Sequence, residues 1–482
     1  MKILLINSPV WLISGKSIAE SPPLGLLYLA SVLEKNKYQV KVIDADILKL
    51  DKQSLSHRIK LENPDIIGIG STTLGLPALF KTVDICKKAQ LRAKIITGGA
   101  GTSIEPENVL ITNKNIDVAF INEAEESIIN WLSVLKNGQS FKKVKGIAFL
   151  DNGKFFKTEA QLPPQNLDDI PFPAYHLLEP AHNDYHGVSG EWEGIDIPNA
   201  VIMGSRGCPH RCIFCSNKTR QPRRRSPKNI VDEIEFNKKN FNINSVQFYD
   251  NEFIGMTADQ NQWVKLICKE IIDRKLNKLG YLIQGRCNKF VDLETLKMMR
   301  RAGFRWIWWG VESGSDKVLK IIKKDITVSE IKRAFKLAKQ ADLKSLMFIM
   351  VGFPGETKED VMLSAKLVKE IKPDRAHFHI VTPLPGSELW DWAYKNGKID
   401  EFDYSKYNMK SIITYHTDTL SRDEIKKLYE ILLFRFSNGY WYFIKFFIKS
   451  LFSKDGIKKI PTRINKIYKH FSYLLNIYID KL

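Results

Sequence analysis

The sequence is poor in cysteine, with six among 482 residues. Such sparse use excludes a disulfide-built scaffold and favours a reducing compartment such as the cytoplasm. Long apolar runs are also missing, because the best candidate, near residues 431–452, is interrupted by Arg435, Lys445 and Lys449. No membrane-spanning helix is therefore expected. The N-terminus, MKILLINSPV, lacks the apolar stretch and cleavage site of a signal peptide.

Acidic residues are outnumbered, since 73 Lys and Arg face 54 Asp and Glu for a net charge of +19. An excess of this kind suggests nucleic acid, a membrane surface or anionic ligands, but it does not determine the fold. The C-terminal segment 431–482 is especially basic and rich in aromatic residues. It predicts a helical appendage packed on the main body, and an amphipathic element on a membrane is the alternative.

Short apolar runs alternate with helical patterns in the first third of the chain. Strands are predicted at residues 3–6, 40–44, 66–70, 94–97 and 117–121. This alternation indicates a flavodoxin-like parallel sheet, whose ligands bind at the carboxyl ends of the strands. Those ends are small, polar and glycine-rich, which suits a backbone approaching a bulky ligand. The candidate binding residues there are Ser8, Pro9, Ser71, Thr72, Thr73, Gly98, Gly99, Gly101, Thr102 and Glu123.

A second alternating region follows a predicted hairpin at 146–158 and a proline-rich linker. Its strands are predicted at 200–203, 245–249, 281–284, 306–309, 346–351 and 377–381. Six βα repeats indicate a partial (β/α)6 barrel of the α/β class, with functional residues at the carboxyl ends of its strands. The predicted organisation has four parts, with boundaries at 1–145, 146–195, 196–400 and 401–482.

Three of the six cysteines, Cys208, Cys212 and Cys215, fall within eight residues in the pattern C-x3-C-x2-C. Three thiolates on one loop can bind three irons of a four-iron cluster, which leaves the fourth iron open to a substrate or cofactor. Zinc normally takes four ligands, and His210 is the only near fourth candidate. A redox disulfide between Cys212 and Cys215, or chance clustering of structural cysteines, would also produce this pattern.

The loop resembles the signature of radical S-adenosylmethionine (SAM) enzymes. Further segments resemble that family in the same order, beginning at Phe248, Gln284, Gly310, Val351 and Thr382. The resemblance implies that SAM chelates the open iron and is cleaved to a 5′-deoxyadenosyl radical, which abstracts hydrogen from an unactivated carbon. It also implies which residues contact the cofactor. These are Glu312 and Arg286 as catalytic residues, with Phe214, Asp250, Glu252, Ser313 and Gly352 as further cofactor-binding residues.

Each of these assignments competes with a structural interpretation. Asp250 and Glu252 could cap the next helix, Arg286 could be an ion-pair partner, and Gly352 could be a turn residue. The run 223–225, Arg-Arg-Arg, is typical of a solvated charged surface, with anion binding as the alternative.

The first third of the chain, with the strap at 167–175, resembles the cobalamin-binding subclass of radical SAM enzymes. Residues 22–26, 98–101 and 122–125 carry this resemblance. The D-x-H-x-x-G motif, whose histidine ligates cobalt in cobalamin mutases, is absent. No cobalt ligand of that kind is therefore expected from this domain, and a domain kept only for packing or dimerisation is the alternative.

Together the two resemblances imply a radical SAM methyltransferase with three cofactors: a 4Fe–4S cluster, SAM and cobalamin. A cobalamin-dependent cyclase or rearrangement enzyme, acting on a tetrapyrrole or lipid, is the second interpretation. A metal-binding nucleic-acid module is the third, although nucleic acid is not the expected partner. The expected partners are a small-molecule substrate and an electron donor such as flavodoxin or ferredoxin. Peripheral membrane contact is left open.

Overall fold

The computed structural model describes residues 1–14, 21–181, 185, 192–217, 219, 221–407 and 412–436. Most of the basic aromatic tail predicted at 431–482 lies outside these residues. None of the described helices is both long and apolar enough to cross a membrane.

The first sheet has eight strands, and its buried centre is parallel. All five predicted strands are confirmed, and their spatial order, β2-β1-β3-β4-β5, is flavodoxin-like. The predicted hairpin is also present, and it continues this sheet antiparallel beyond β5. The strands are β1 (Lys2–Asn7), β2 (Gln39–Asp44), β3 (Ile66–Gly70), β4 (Lys94–Gly98), β5 (Val118–Phe120), β6 (Ile147–Asp151), β7 (Lys154–Lys157) and β8 (Leu178–Glu179).

The central strands are continuous apolar runs because both of their faces are covered. Along β1, Ile3 and Leu5 face one hydrophobic core while Leu4 and Ile6 face another. The helices of this region are α1 (Trp11–Ser14), α2 (Leu24–Lys35), α3 (Lys52–Glu62), α4 (Leu76–Ala89), α5 (Ala100–Ile104), α6 (Pro106–Thr112) and α7 (Glu125–Lys136).

The second sheet is a partial barrel of six parallel strands in the order β16-β15-β14-β13-β12-β9. All six predicted strands are confirmed. A separate two-stranded ribbon, β10–β11, lies between the first two barrel strands in sequence. The strands are β9 (Asn199–Ile202), β10 (Ser205–Arg206), β11 (Arg223–Arg224), β12 (Ser245–Phe248), β13 (Gly280–Gly285), β14 (Phe304–Glu312), β15 (Lys344–Val351) and β16 (Arg375–Ile380).

Helices cover the outer face of the barrel, and capping side chains determine where several of them begin. Ser226 caps α8, and Thr327 and Glu330 form a capping box at the start of α12. The helices are α8 (Pro227–Phe241), α9 (Ala258–Asp273), α10 (Leu293–Arg301), α11 (Asp316–Ile321), α12 (Val328–Gln340), α13 (Lys358–Ile371), α14 (Glu388–Lys395) and α15 (Arg422–Phe436).

Candidate active site at two sheet edges

The cysteine loop leaves the barrel after β9 and is closed at its base by the β10–β11 ribbon. We call this ribbon and the residues next to it the neck of the loop. Inside the neck, the Cys208 N–H donates to the Thr219 carbonyl at 3.0 Å. Gly207 has φ +95°, and a Cβ there would lie 2.6 Å from the Gln221 carbonyl oxygen. Only glycine fits such a backbone, so the loop can close tightly at this point.

The three cysteines of the loop are free thiols, and Cys212 is buried. Ile213 anchors the loop to the barrel, because its N–H donates to the Ile322 carbonyl at 3.1 Å and its carbonyl accepts from Leu389 at 2.8 Å. Burial and the Glu252 carboxylate raise the pKa of Cys208 to about 11. Among the described residues, no three Cys, His, Asp or Glu side chains are grouped closely enough to hold a metal ion.

Arg286, at the end of β13, connects the cysteine loop to buried carboxylates. Its guanidinium is 1% exposed and lies 3.5 Å from the Cys212 Sγ, while its Nε donates to Glu252 at 2.8 Å. Burial lowers the pKa of Arg286, but the Glu252 carboxylate raises it by more. The pKa is therefore raised overall, and Arg286 stays protonated. One interpretation of Arg286 was an ion-pair partner, and the structure shows such a pair with Glu252. This pair lies beside the cysteine loop.

Glu312, at the carboxyl end of β14, is held in an unusual conformation. Its φ is +68°, and the β14–β15 register shifts between Gly310 and Glu312. Backbone strain of this kind in a non-glycine residue concentrates at functional sites. A Cβ on Gly310 would lie 2.9 Å from both Glu312 Oε1 and Lys324 Nζ, so a larger residue there would displace the ends of these two side chains.

Lys324 pairs with Glu312 and was missed by sequence reasoning. Its Nζ lies 2.9 Å from Glu312 Oε1, and both side chains are about nine-tenths buried. Burial lowers the pKa of Lys324, but Glu312 more than offsets that effect and the pKa is raised. In the sequence, Lys324 stands in a charged run that is typical of a surface. Only the tertiary contact distinguishes it.

Asp250, at the end of β12, holds the start of the cysteine loop. Its carboxylate accepts from the Gly204 N–H at 3.0 Å and from the Ser205 hydroxyl. Burial raises its pKa to about 6. Asp250 therefore acts on the backbone between β9 and β10.

The other predicted SAM-site residues surround the Glu312–Lys324 pair or form turns. The Phe214 ring centroid lies 5.8 Å from Lys324 Nζ, and Ser313 is fully buried. Gly352 has φ +104°, and its N–H donates to Glu356 at 2.7 Å, which agrees with a turn residue.

The first sheet opens into a cleft of about 290 Å³ at the carboxyl ends of β1 and β3. Three of the predicted ligand-contacting residues, Ser8, Ser71 and Thr72, line it. Ser8 is 3% exposed, and its Oγ has no hydrogen-bond partner among the described residues. Tyr249, from the end of β12, also lines the cleft and lies 2.9 Å from Ser21 Oγ. The barrel thus contributes to the wall of this cleft.

The predicted glycines bring the two loops of this cleft together instead of lining it. A Cβ on Gly99 would lie 2.5 Å from the Ser71 carbonyl oxygen, and one on Gly101 would lie 2.7 Å from that of Thr72. The Gly98 carbonyl accepts from the Ser71 N–H at 3.0 Å. Three further predicted residues are buried and do not line the cleft. They are Pro9, Thr73 and Thr102.

The Glu123 carboxylate binds arginines of the barrel region. Its carboxylate pairs with both Arg206 and Arg223, the two residues that face each other across the neck of the cysteine loop. Arg223 and Arg225 are 8% and 5% exposed, so the interpretation of 223–225 as a solvated run is wrong for these two residues. Arg223 pairs with Glu123, which is 100 residues away, whereas Arg225 pairs with Glu233, eight residues further along the chain. Only the first of these pairs is hidden from sequence reasoning by its distance.

Part of the inward face of the barrel is less fully buried than the outward face. On β14 and β15, the outward side chains Trp309 and Ile349 are fully buried, whereas the inward Trp308, Phe348 and Met350 are half-buried. The inward face of β16 presents two half-buried histidines, His377 and His379, with ring centroids 5.8 Å from that of Phe348. This patch of partly exposed rings on the inward face, here called the barrel chamber, lies beside a buried cluster in which Leu282, Trp306 and Leu346 pack against Trp192.

Comparison with known proteins identifies a family for each of the two regions. The profile of the radical SAM superfamily matches residues 202–368, and that of the B12 binding domain matches residues 11–130. An uncharacterised methyltransferase of Pyrococcus horikoshii is 30% identical over 411 residues, which cover 84% of this chain and 86% of the relative. The chain belongs to the cobalamin-binding radical SAM family.

Methyltransferases and cyclases both occur among the relatives of this radical SAM enzyme. An anaerobic magnesium-protoporphyrin IX monomethyl ester cyclase of Rubrivivax gelatinosus is 30% identical over 469 residues, covering 94% of this chain and 80% of the relative. A solved structure of the cobalamin-dependent SAM radical enzyme OxsB has a TM-score of 0.74 at 19% identity, covering 98% of this chain and 72% of that one. Family membership makes the cofactors a 4Fe–4S cluster, SAM and cobalamin.

The described residues fit these cofactors by their chemistry. Three free thiols on one loop suit an iron–sulfur cluster. The unpartnered Ser8 hydroxyl and the neighbouring Ser71 and Thr72 suit a bulky polar ligand in the cleft. His57, a histidine of the B12-binding region, is exposed on α3 and does not line the cleft. None of the cleft-lining residues is a histidine.

Proposed function

We propose that this radical SAM enzyme methylates an unactivated carbon of a small molecule that carries a flat conjugated ring and binds inside the barrel. The observation that carries the proposal is a continuous chain of contacts at the barrel edge. Cys212 lies next to Arg286, Arg286 donates to the Lys324 carbonyl, and Lys324 pairs with Glu312. The barrel chamber lies on the inward face of β14, the strand that ends at Glu312.

Each group of residues in this series of contacts has a separate role in the proposal. Cys208, Cys212 and Cys215 would hold the cluster, and Glu312 with Lys324 would hold the charged amino-acid part of SAM, because opposite charges in a buried site fix a zwitterion. The residues that would contact cobalamin are Ser8, Ser71 and Thr72. When bound, the cluster and SAM supply the hydrogen-abstracting radical and cobalamin supplies the methyl group.

The aromatic walls of the chamber support a flat substrate. Trp308, Phe348 and His377 present ring faces and edges within one wall, and ring pairs of this kind stabilise a stacked aromatic ligand. The Trp308 Nε1 is buried without a hydrogen-bond partner among the described residues, so it is available to donate to a substrate acceptor. A tetrapyrrole or a heteroaromatic ring would stack against these side chains.

Cyclisation without methyl transfer is a second candidate function. It is favoured by the similarity to the Rubrivivax gelatinosus cyclase, which extends over 94% of this chain. The same chamber and the same cofactor sites would serve either reaction.

Two partners complete the proposal. Reducing the cluster requires an electron carrier, and we assign this role to a flavodoxin or ferredoxin, because the net charge of +19 favours an acidic protein partner. The free cysteines support a cytoplasmic location. Peripheral contact with a membrane is assigned to the basic aromatic tail, on its composition alone.

The test begins with anaerobic reconstitution of the full chain with iron, sulfide and cobalamin. The expected result is about four irons per chain and formation of 5′-deoxyadenosine from SAM and dithionite. Cys212→Ala should lose both, whereas Cys268→Ala, a buried cysteine outside the loop, should lose neither. An iron-loaded wild type that never forms 5′-deoxyadenosine contradicts the proposal. SAM with a deuterated methyl group, incubated with magnesium-protoporphyrin IX monomethyl ester, then distinguishes methylation from cyclisation.

A further inference from the structure

The neck of the cysteine loop is attached to the B12-binding region through buried charges. Arg206 Nη1 lies 2.7 Å from Glu123 Oε2 and 2.7 Å from Glu125 Oε1. Arg223, directly across the ribbon from Arg206, binds both oxygens of Glu123. All four side chains are between 8% and 17% exposed.

The position of these charges is determined on both sides. On the B12-binding side, Asn122 adopts a left-handed turn with φ +63°, and its N–H donates to Ser103 Oγ at 2.8 Å. On the barrel side, the Arg206 guanidinium lies 5.1 Å from the centre of the Tyr28 ring, which belongs to α2. These four charged side chains therefore join the turn that follows β5 in the first sheet to the base of the cysteine loop at the barrel edge.

We propose that Glu123, Glu125, Arg206 and Arg223 form a docking clamp that holds the cysteine loop at a fixed position against the cobalamin site. This inference rests on the proposed function, because two separate cofactors must come close for a methyl group to pass between them. Glu123 is thus a positioning residue. Because its carboxylate pairs with two arginines, Glu123 affects the reaction by holding the cysteine loop in position and not by contacting a cofactor.

SAM leaves a different product in each of its two reactions, and this makes the clamp testable without a known substrate. When the sulfonium transfers its methyl group, the bonding pair stays on sulfur, reduced cobalamin supplies the pair for the new bond, and S-adenosylhomocysteine remains. When one electron from titanium(III) citrate breaks the bond to C5′, methionine is released. The deoxyadenosyl radical then takes a hydrogen atom from solvent components to give 5′-deoxyadenosine.

The first measurement is the ratio of S-adenosylhomocysteine to 5′-deoxyadenosine in reconstituted protein. Glu123→Gln and Arg223→Met should lower this ratio at least tenfold, because only methyl transfer depends on the placement of the two regions. Arg224→Met is the matched control, since Arg224 pairs with Asp259 inside the barrel region. It should keep the wild-type ratio. A merely structural role would reduce both products together and leave the ratio unchanged.

The second measurement is amide hydrogen exchange on the cofactor-free chain. Glu123→Gln should speed exchange at least tenfold at residues 205–207 and 121–125, and leave β13 and β3 unchanged. If that variant does not fold, Glu125→Gln removes only one partner of Arg206 and should shift both readouts in the same direction by a smaller factor.

The outcomes separate the clamp from the proposed function. A wild type that makes both products, with a ratio and an exchange pattern unaltered in Glu123→Gln and Glu125→Gln, overturns the clamp alone. A wild type that makes neither product overturns the proposed function, and the clamp with it. Selective loss of S-adenosylhomocysteine, together with faster exchange at the neck, supports the clamp.

Discussion

The two sheet edges of this protein have the same architecture but different kinds of side chains. Both are carboxyl ends of parallel strands, where open α/β sheets bind ligands. The cleft of the first sheet is lined by hydroxyls, glycine and proline, and Asp46 is the one charged residue among its lining residues. The barrel edge instead buries paired charges, including Arg286 with Glu252 and Lys324 with Glu312.

This difference agrees with the ligand that we propose for each edge. Backbone groups and hydroxyls suit a bulky ligand with little net charge, and glycines let the loops approach each other closely. Buried ion pairs suit a zwitterionic ligand, because they prepare opposite charges in a site from which water is excluded. The comparison leads to four predictions, in which the barrel edge should be the more sensitive to charge and the cleft the more sensitive to shape.

The largest effect is expected from Lys324→Met, which leaves Glu312 buried without its partner. Stability should fall by about 3–5 kcal/mol, and 5′-deoxyadenosine formation at least 100-fold. Lys323→Met is the matched control, because its pair with Glu388 is about half exposed and should contribute at most about 1 kcal/mol. Urea unfolding and product analysis measure both effects. Equal losses in the two variants would contradict the assigned role of the buried pair.

The pH dependence of stability should distinguish Asp250 from an exposed carboxylate. Because the pKa of Asp250 is raised by burial to about 6, the folded chain binds more protons than the unfolded chain between about pH 4 and 6. Its contribution therefore lowers stability as the pH rises through this range, by about 2–3 kcal/mol in total, and is constant above it. Asp250→Asn should flatten this part of the profile. Asp259→Asn, at a carboxyl whose pKa is lowered, should have a much smaller effect of opposite sign.

A change of shape should affect the cleft without any change of charge. Gly101→Ala places a Cβ 2.7 Å from the Thr72 carbonyl oxygen, so the loop must move, at a cost of about 1–3 kcal/mol. Cobalamin affinity should fall about tenfold, which corresponds to roughly 1.4 kcal/mol. Gly25→Ala, in α2 with no atom within 4 Å of the new Cβ, should leave affinity unchanged. An absorbance titration that finds equal affinities for both variants would contradict the cleft assignment.

The smallest effect is expected from Ser8→Ala. Since its hydroxyl has no partner among the described residues, its removal should leave the stability of the cofactor-free chain within about 0.5 kcal/mol. Cobalamin affinity should nevertheless fall by about 1 kcal/mol, or roughly fivefold, if that hydroxyl bonds to the ligand. Unchanged affinity would remove Ser8 from the binding site.

The sequence alone is sufficient to predict what depends on local pattern. All eleven strands predicted for the two sheets are present, because their apolar runs must be covered on both faces. The cysteine loop is readable from its spacing, and the positions of Ser8, Ser71 and Thr72 at the cleft are readable from their place after strands. The position of Glu312 at the end of a barrel strand follows from the same logic, whereas the ligands of these residues stay a prediction.

Long-range pairing is what the sequence could not predict. Lys324 is buried in contact with Glu312, and Glu123 pairs with Arg223, which is 100 residues away in the sequence. Tyr249 reaches the cleft only because the barrel edge lies beside it. The charge of a residue gives no information on such partners, so a buried pair and a solvated run look alike until the chain is folded.

The central claim is that the three-cysteine loop leaves one iron free for SAM at the charged edge of the barrel. The most direct measurement is electron–nuclear double resonance on the reduced cluster, with SAM labelled by 15N in its amino group and 17O in its carboxylate. Wild-type protein should show coupling from both labels, and Lys324→Met should weaken it. A fully reduced cluster that shows no coupling to either label would contradict the account.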